Sequence, residues 1–93
     1  MDRLTGVATV TTAASSATNI TLFSASHASG RMIFNDSTQV LYVKFGATAT
    51  TSSYTVQIAA GGYYEFPQPL YAGRVDALWA SANGNARLTE VGV

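Results

Sequence analysis

A chain of 93 residues, 47% apolar and only 11% charged, is long enough for one domain with a thin core and too apolar for disorder. Its five basic and five acidic side chains cancel and lie scattered, which excludes the electrostatic footprint of a nucleic-acid binder and a basic membrane-surface helix. No apolar run approaches the ~20 residues that span a bilayer, and the absence of cysteine excludes disulfides and thiolate chemistry.

Period-2 alternation runs through most of the chain and predicts strands. Leu4 to Val10 reads as the first, with Leu4, Gly6, Ala8 and Val10 on one face. Thr11 to Thr18 lacks large apolar residues, so residues 1–18 read as an N-terminal strand and arm ahead of a domain at 19–93. Asn19 to Ser24 is a second strand, Ser24 to Gly30 a small polar loop, and Arg31 to Asn35 a third strand with apolar residues on both faces. Asn35-Asp36-Ser37-Thr38 has turn chemistry, since short polar side chains bond their own backbone. It leads into a strand at Val40 to Phe45, then a low-complexity loop at Gly46 to Ser53.

Tyr54 to Ile58 is the next strand, and Ala59-Ala60-Gly61-Gly62 supplies a tight reversal into Tyr63 to Phe66. Pro67 and Pro69 stop that strand because proline cannot donate to a ladder. Arg74 to Ala80 and Ala86 to Val91 read as the clearest hairpin, joined through Asn83-Gly84. About eight short strands at this spacing predict an all-β fold, an antiparallel sandwich or jelly-roll-like barrel.

Two features point to contact with other proteins. The charged fraction is less than half the roughly 25% of an average soluble domain, with Ala, Thr and Ser in its place. Several strands also carry apolar residues on both faces, Met32 and Phe34 against Ile33 and Leu78 against Val75 and Trp79. A half-exposed antiparallel sheet would be polar on one face, so a subunit interface is the expected cover. The residues expected there are Leu4, Val7, Val10, Tyr42, Tyr63, Tyr64, Tyr71 and Trp79.

The residue pattern offers no catalytic set, no metal site and no cofactor motif. His27 is the only histidine and has no carboxylate near it in sequence to orient it as a base. Glu65 and Glu90 could meet across strands as a carboxylate pair, but surface pairing with Arg74 or Arg87 is the simpler expectation. Gly61-Gly62 is not followed by the helix of a phosphate loop. Asn19-Ile20-Thr21 and Asn35-Asp36-Ser37 match a glycosylation pattern that any Ser/Thr-rich chain produces, and Met1 to Thr5 lacks the regions of a secretory signal.

The middle of the chain resembles small virion proteins of tailed bacteriophages. The resemblance is carried by Arg31 to Ser37, Leu41 to Gly46, Tyr54 to Val56, Gly61 to Pro67, Tyr71 to Gly73, Leu78 to Ser81 and Gly84 to Glu90. It implies a β-sandwich structural protein without catalytic residues, made in a bacterial cytoplasm and placed on the virion. The role expected is head decoration or cement, by contact with other copies of itself, a trimer included, and with the major capsid protein. Within the same resemblance, the alternatives are a tail, connector or fibre-base part, or a carbohydrate- or receptor-binding fibre module that stacks sugars on Tyr63, Tyr64, Tyr71 and Trp79.

Overall fold

Alternation along each strand sorts the side chains into an inner and an outer set. In the computed structural model, which describes residues 6–92, Arg31, Ile33 and Asn35 point inward while Met32 and Phe34 point outward. Eight strands result: β1 (Ala8–Ala14), β2 (Ile20–Phe23), β3 (Gly30–Asp36), β4 (Leu41–Phe45), β5 (Val56–Ile58), β6 (Tyr63–Glu65), β7 (Val75–Trp79) and β8 (Asn85–Val91). They form two four-stranded antiparallel sheets, a first in the order β1-β8-β3-β6 and a second in the order β2-β7-β4-β5. The all-β sandwich expected from the sequence is the fold observed.

The pairings follow a simple rule. β1 pairs β8, β2 pairs β7, β3 pairs β6 and β4 pairs β5, as in one long hairpin folded at the β4–β5 connection. Wrapping that ribbon on itself adds the β3–β8 and β4–β7 pairings and gives the strand order of a jelly roll. The sheets stay open, so the sandwich is not a closed barrel. Between them lie Ile33, Leu41, Val43, Val75, Ala77 and Trp79, all without measurable exposure.

Topology corrects three readings of the sequence. β7 and β8 are not a hairpin: β7 lies in the second sheet and β8 in the first. Asn83-Gly84 does turn the chain, with Gly84 at φ +71°, where an added Cβ would collide with the Asp36 carbonyl oxygen. The turn carries the chain across the sandwich because Trp79 is drawn into the core while Ala86 and Leu88 complete the opposite sheet. Residues 59–62 likewise cross from β5 to β6 instead of pairing them. Finally, the first strand among the described residues, Ala8–Ala14, runs on past Val10 into the Thr/Ala segment that read as an arm.

That extension has a physical reason. Threonine favours extended backbone, and β8 supplies ladder partners along the whole of β1, from Ala8 opposite Val91 to Ala14 opposite Asn85. Large apolar side chains are not needed, because β1 overhangs the sandwich. Thr9 and Thr11 are exposed although they lie on the inner side of the sheet.

Candidate functional site

The two outer faces of the sandwich are treated differently by the chain. On the second sheet the outward residues include Asp76, Leu78, Tyr42 and Lys44. Residues 46–54 fold back over them. The Ala49 amide donates to Asn19 Oδ1 at 2.8 Å, and Asn19 Nδ2 donates to Asp76 at 3.0 Å. Lys44 Nζ donates to the Thr48 carbonyl at 3.3 Å and to Ser53 Oγ at 2.9 Å. Leu78 on this face is only 8% exposed and Ala49 is buried. Leu78 is thus covered within the chain itself, where a neighbouring subunit was the expected cover.

Asp76 is the polar anchor of this face. Burial pushes its carboxyl pKa up, but hydrogen bonds from Arg74, Asn19 and Thr21, with the Arg74 charge, outweigh it and hold the group below its ordinary value. Arg74 approaches at 2.8 Å, and the same contact raises the guanidinium's own pKa.

The first sheet's outer face has no such cover among the described residues. Register sets two cross-sheet rows side by side, Val10–Thr89–Met32–Glu65 and Thr12–Arg87–Phe34–Tyr63. Val10 is 63% and Tyr63 66% exposed, and Phe34 and Met32 are partly open. A shallow depression of about 180 Å³ lies beside Met32, bounded by Gly30, Glu65, Gln68, Thr89 and Val91. Gly30 contributes by presenting no side chain. The charges are few: Arg87 pairs with Asp36 at 3.0 Å toward one end, and Glu65 stands toward the other.

The residues expected at an interface are divided by this geometry. Val10 and Tyr63 stand on the first sheet's outer face, and exposed Val7 precedes β1. Tyr42 is on the opposite side of the molecule, packed edge-on against Tyr54 at 5.1 Å between ring centroids. Tyr64 points inward from β6, beside outward Tyr63, and joins Phe45, Phe66 and Tyr71 in an aromatic cluster. Tyr71 stacks on Phe45 at 4.8 Å and donates its hydroxyl to the Arg74 carbonyl. Trp79 is fully enclosed and donates Nε1 to Asn35 Oδ1 at 3.1 Å, so it has no surface to offer a partner. Leu4 lies outside the described residues. Met32 and Phe34 belong to the open face; their alternation with Ile33 was the signal for them.

Two buried polar residues hold the face in shape. Arg31 Nε donates to Glu90 at 2.9 Å, and its other nitrogens donate to the carbonyls of Ser24, Tyr71, Ala72 and Gly73 and to Ser26 Oγ. Its guanidinium also lies 4.7 Å from the Phe23 ring centroid. Asn35 Nδ2 donates to the carbonyls of Gln39, Ile58 and Ala59, while its Oδ1 accepts from Ser37 and Trp79. Both residues tie β3 of the first sheet to loops and strands of the second, as buried polar groups must be satisfied.

For chemistry the arrangement offers little. His27 is exposed on its loop. Glu65 and Glu90 occupy opposite faces of the first sheet, because their partners Met32 and Arg31 do. Among the described residues, no three His, Asp or Glu side chains converge as metal ligands, and no helix is long and apolar enough to cross a membrane. What the first sheet's outer face offers is exposed apolar surface at Val10, Phe34 and Tyr63. No family model matches the chain, and no curated protein or solved structure was found to be similar to it.

Proposed function

We propose that this chain is a structural protein of a bacteriophage virion, specifically a head decoration or cement protein that acts through protein–protein contact and performs no chemistry. One observation carries the reading. Residues 46–54 are fastened across the outer face of the second sheet, where Leu78 and Asp76 are buried, whereas Val10, Phe34 and Tyr63 stand exposed and Met32 partly exposed on the first. Apolar surface of this kind on a charge-poor chain marks a contact site. The double-sheet fold itself serves capsid proteins and sugar-binding domains alike, so it does not choose between them. The resemblance of the strand and turn segments to small phage virion proteins supplies the particle.

Many copies on a regular lattice would turn a weak contact into stable attachment. A tail, connector or fibre-base position would use the same surface. A sugar-stacking module draws less support, since Tyr63 is the only one of Tyr63, Tyr64, Tyr71 and Trp79 that stands open.

The test is to add the purified chain to expanded heads of the phage that encodes it and image them by cryo-electron microscopy. Repeated density is expected on the head, with the first sheet's outer face against the capsid, and its loss in a Phe34→Asp, Tyr63→Asp double variant. Heads and tails that both remain bare would overturn the reading.

A further inference from the structure

Four sheet edges end the sandwich, at β1, β6, β2 and β5, and three are protected. β5 and β6 have three residues each, and Pro67 follows β6 closely. β2 has four residues and a register shift between Thr21 and Phe23. Short, bulged or proline-bounded edges resist pairing with another chain. β1 is the exception: seven residues, regular in register, with no charge, proline or glycine in Ala-Thr-Val-Thr-Thr-Ala-Ala.

The ladder shows which backbone groups this edge presents. Gly92 donates to the Val7 carbonyl and Ser15 to the Gly84 carbonyl, so odd-numbered residues of β1 face β8 in the alternating antiparallel pattern. The N–H and C=O groups of Ala8, Val10, Thr12 and Ala14 therefore point out along the open edge. None of them has a backbone partner among the described residues beyond the sheet.

We infer that β1 pairs with β1 of a second copy, antiparallel about a two-fold axis through Thr11, so that the first sheets of two chains join into one. In this register Ala8 faces Ala14 of the other copy, Val10 faces Thr12, and Thr11 faces Thr11. The even-numbered residues then form hydrogen-bonded pairs, with about eight backbone bonds between the chains. Every side chain at the seam is small and uncharged, so no like charges meet. The overhang of β1, with Thr9 and Thr11 exposed on the inner side, leaves room for the second strand. Joining also aligns the Thr12–Arg87–Phe34–Tyr63 row of one copy with the Val10–Thr89–Met32–Glu65 row of the other. A strand pair of this length is a small interface, so the dimer forms weakly in solution. The inference fits the contact role proposed above but stands on the edge geometry alone.

Single-cysteine variants test it directly, because the chain has no other cysteine. In the paired register the two Thr11 Cα atoms lie roughly 4.5 Å apart, within disulfide reach, whereas two Thr9 Cα atoms are separated by more than about 13 Å. Oxidation is expected to cross-link Thr11→Cys into a dimer and to leave Thr9→Cys uncross-linked. By sedimentation velocity, Thr11→Lys and Thr11→Glu each weaken self-association about fivefold, and their mixture restores it. Emission from buried Trp79 reports that each variant is folded. A wild-type chain that stays monomeric at high concentration, a trimer, or equal cross-linking at both positions would overturn the two-fold pairing. A monomer that still coats heads would refute the dimer and keep the proposed function; a cross-linked dimer that binds no particle would do the reverse.

Discussion

The two sheets of this sandwich solve the same problem in different ways. Each has four antiparallel strands and an inner face that fills the common core. On the second sheet, residues 46–54 fold across the outer face, and Asn19 fastens Ala49 to Asp76. On the first, the outward rows of β1, β8, β3 and β6 stay open. The difference shows that an apolar outer face does not by itself imply a partner. Leu78 and Phe34 both break the alternation of a half-exposed strand, yet the chain itself buries one and leaves the other exposed.

The largest expected effect comes from the residue that serves both sheets. Arg31→Met leaves Glu90 and a ring of loop carbonyls without their donor, at a cost of about 3–5 kcal/mol, read as a lowered urea midpoint. Next is Leu78→Ala on the second sheet's outer face, expected to cost about 2–4 kcal/mol as a buried truncation. A cost below ~1 kcal/mol would mean that this face is not sealed at Leu78.

Acid titration probes the same cover. The folded pKa of Asp76 is lowered, so its stabilising contribution is complete above the unfolded value of about 3.9. It is lost as pH falls through the folded value. Asp76→Asn should flatten the acid limb of the stability profile below about pH 4; an unchanged limb would remove Asp76 as the anchor. The smallest effect on stability is expected on the open face. Phe34→Ala should shift the urea midpoint by the equivalent of less than about 1 kcal/mol, while reducing attachment to particles. A larger destabilisation would make Phe34 a core residue and erase the contrast between the sheets.

Strand content, most strand positions and the turns are legible in the residue pattern, because alternation, β-branched residues and Asn/Gly/Pro chemistry act over a few neighbours. The same parity set Met32 and Phe34 on one face and Ile33 on the other, and the burial of Ile33 made the first face the outer one. Where each turn leads was set by packing between distant parts of the chain. Asn83-Gly84 bends the chain in a hairpin or in a crossing alike, and the burial of Trp79 on one sheet and Leu88 on the other selects the crossing. Tertiary structure also made a strand of the Thr/Ala segment through its pairing with β8. The loop at residues 46–54 was fastened at the same level, through bonds that join Asn19, Ala49 and Asp76 across long stretches of sequence. Those outcomes depend on which distant surfaces meet, and residue pattern within one strand carries no record of that.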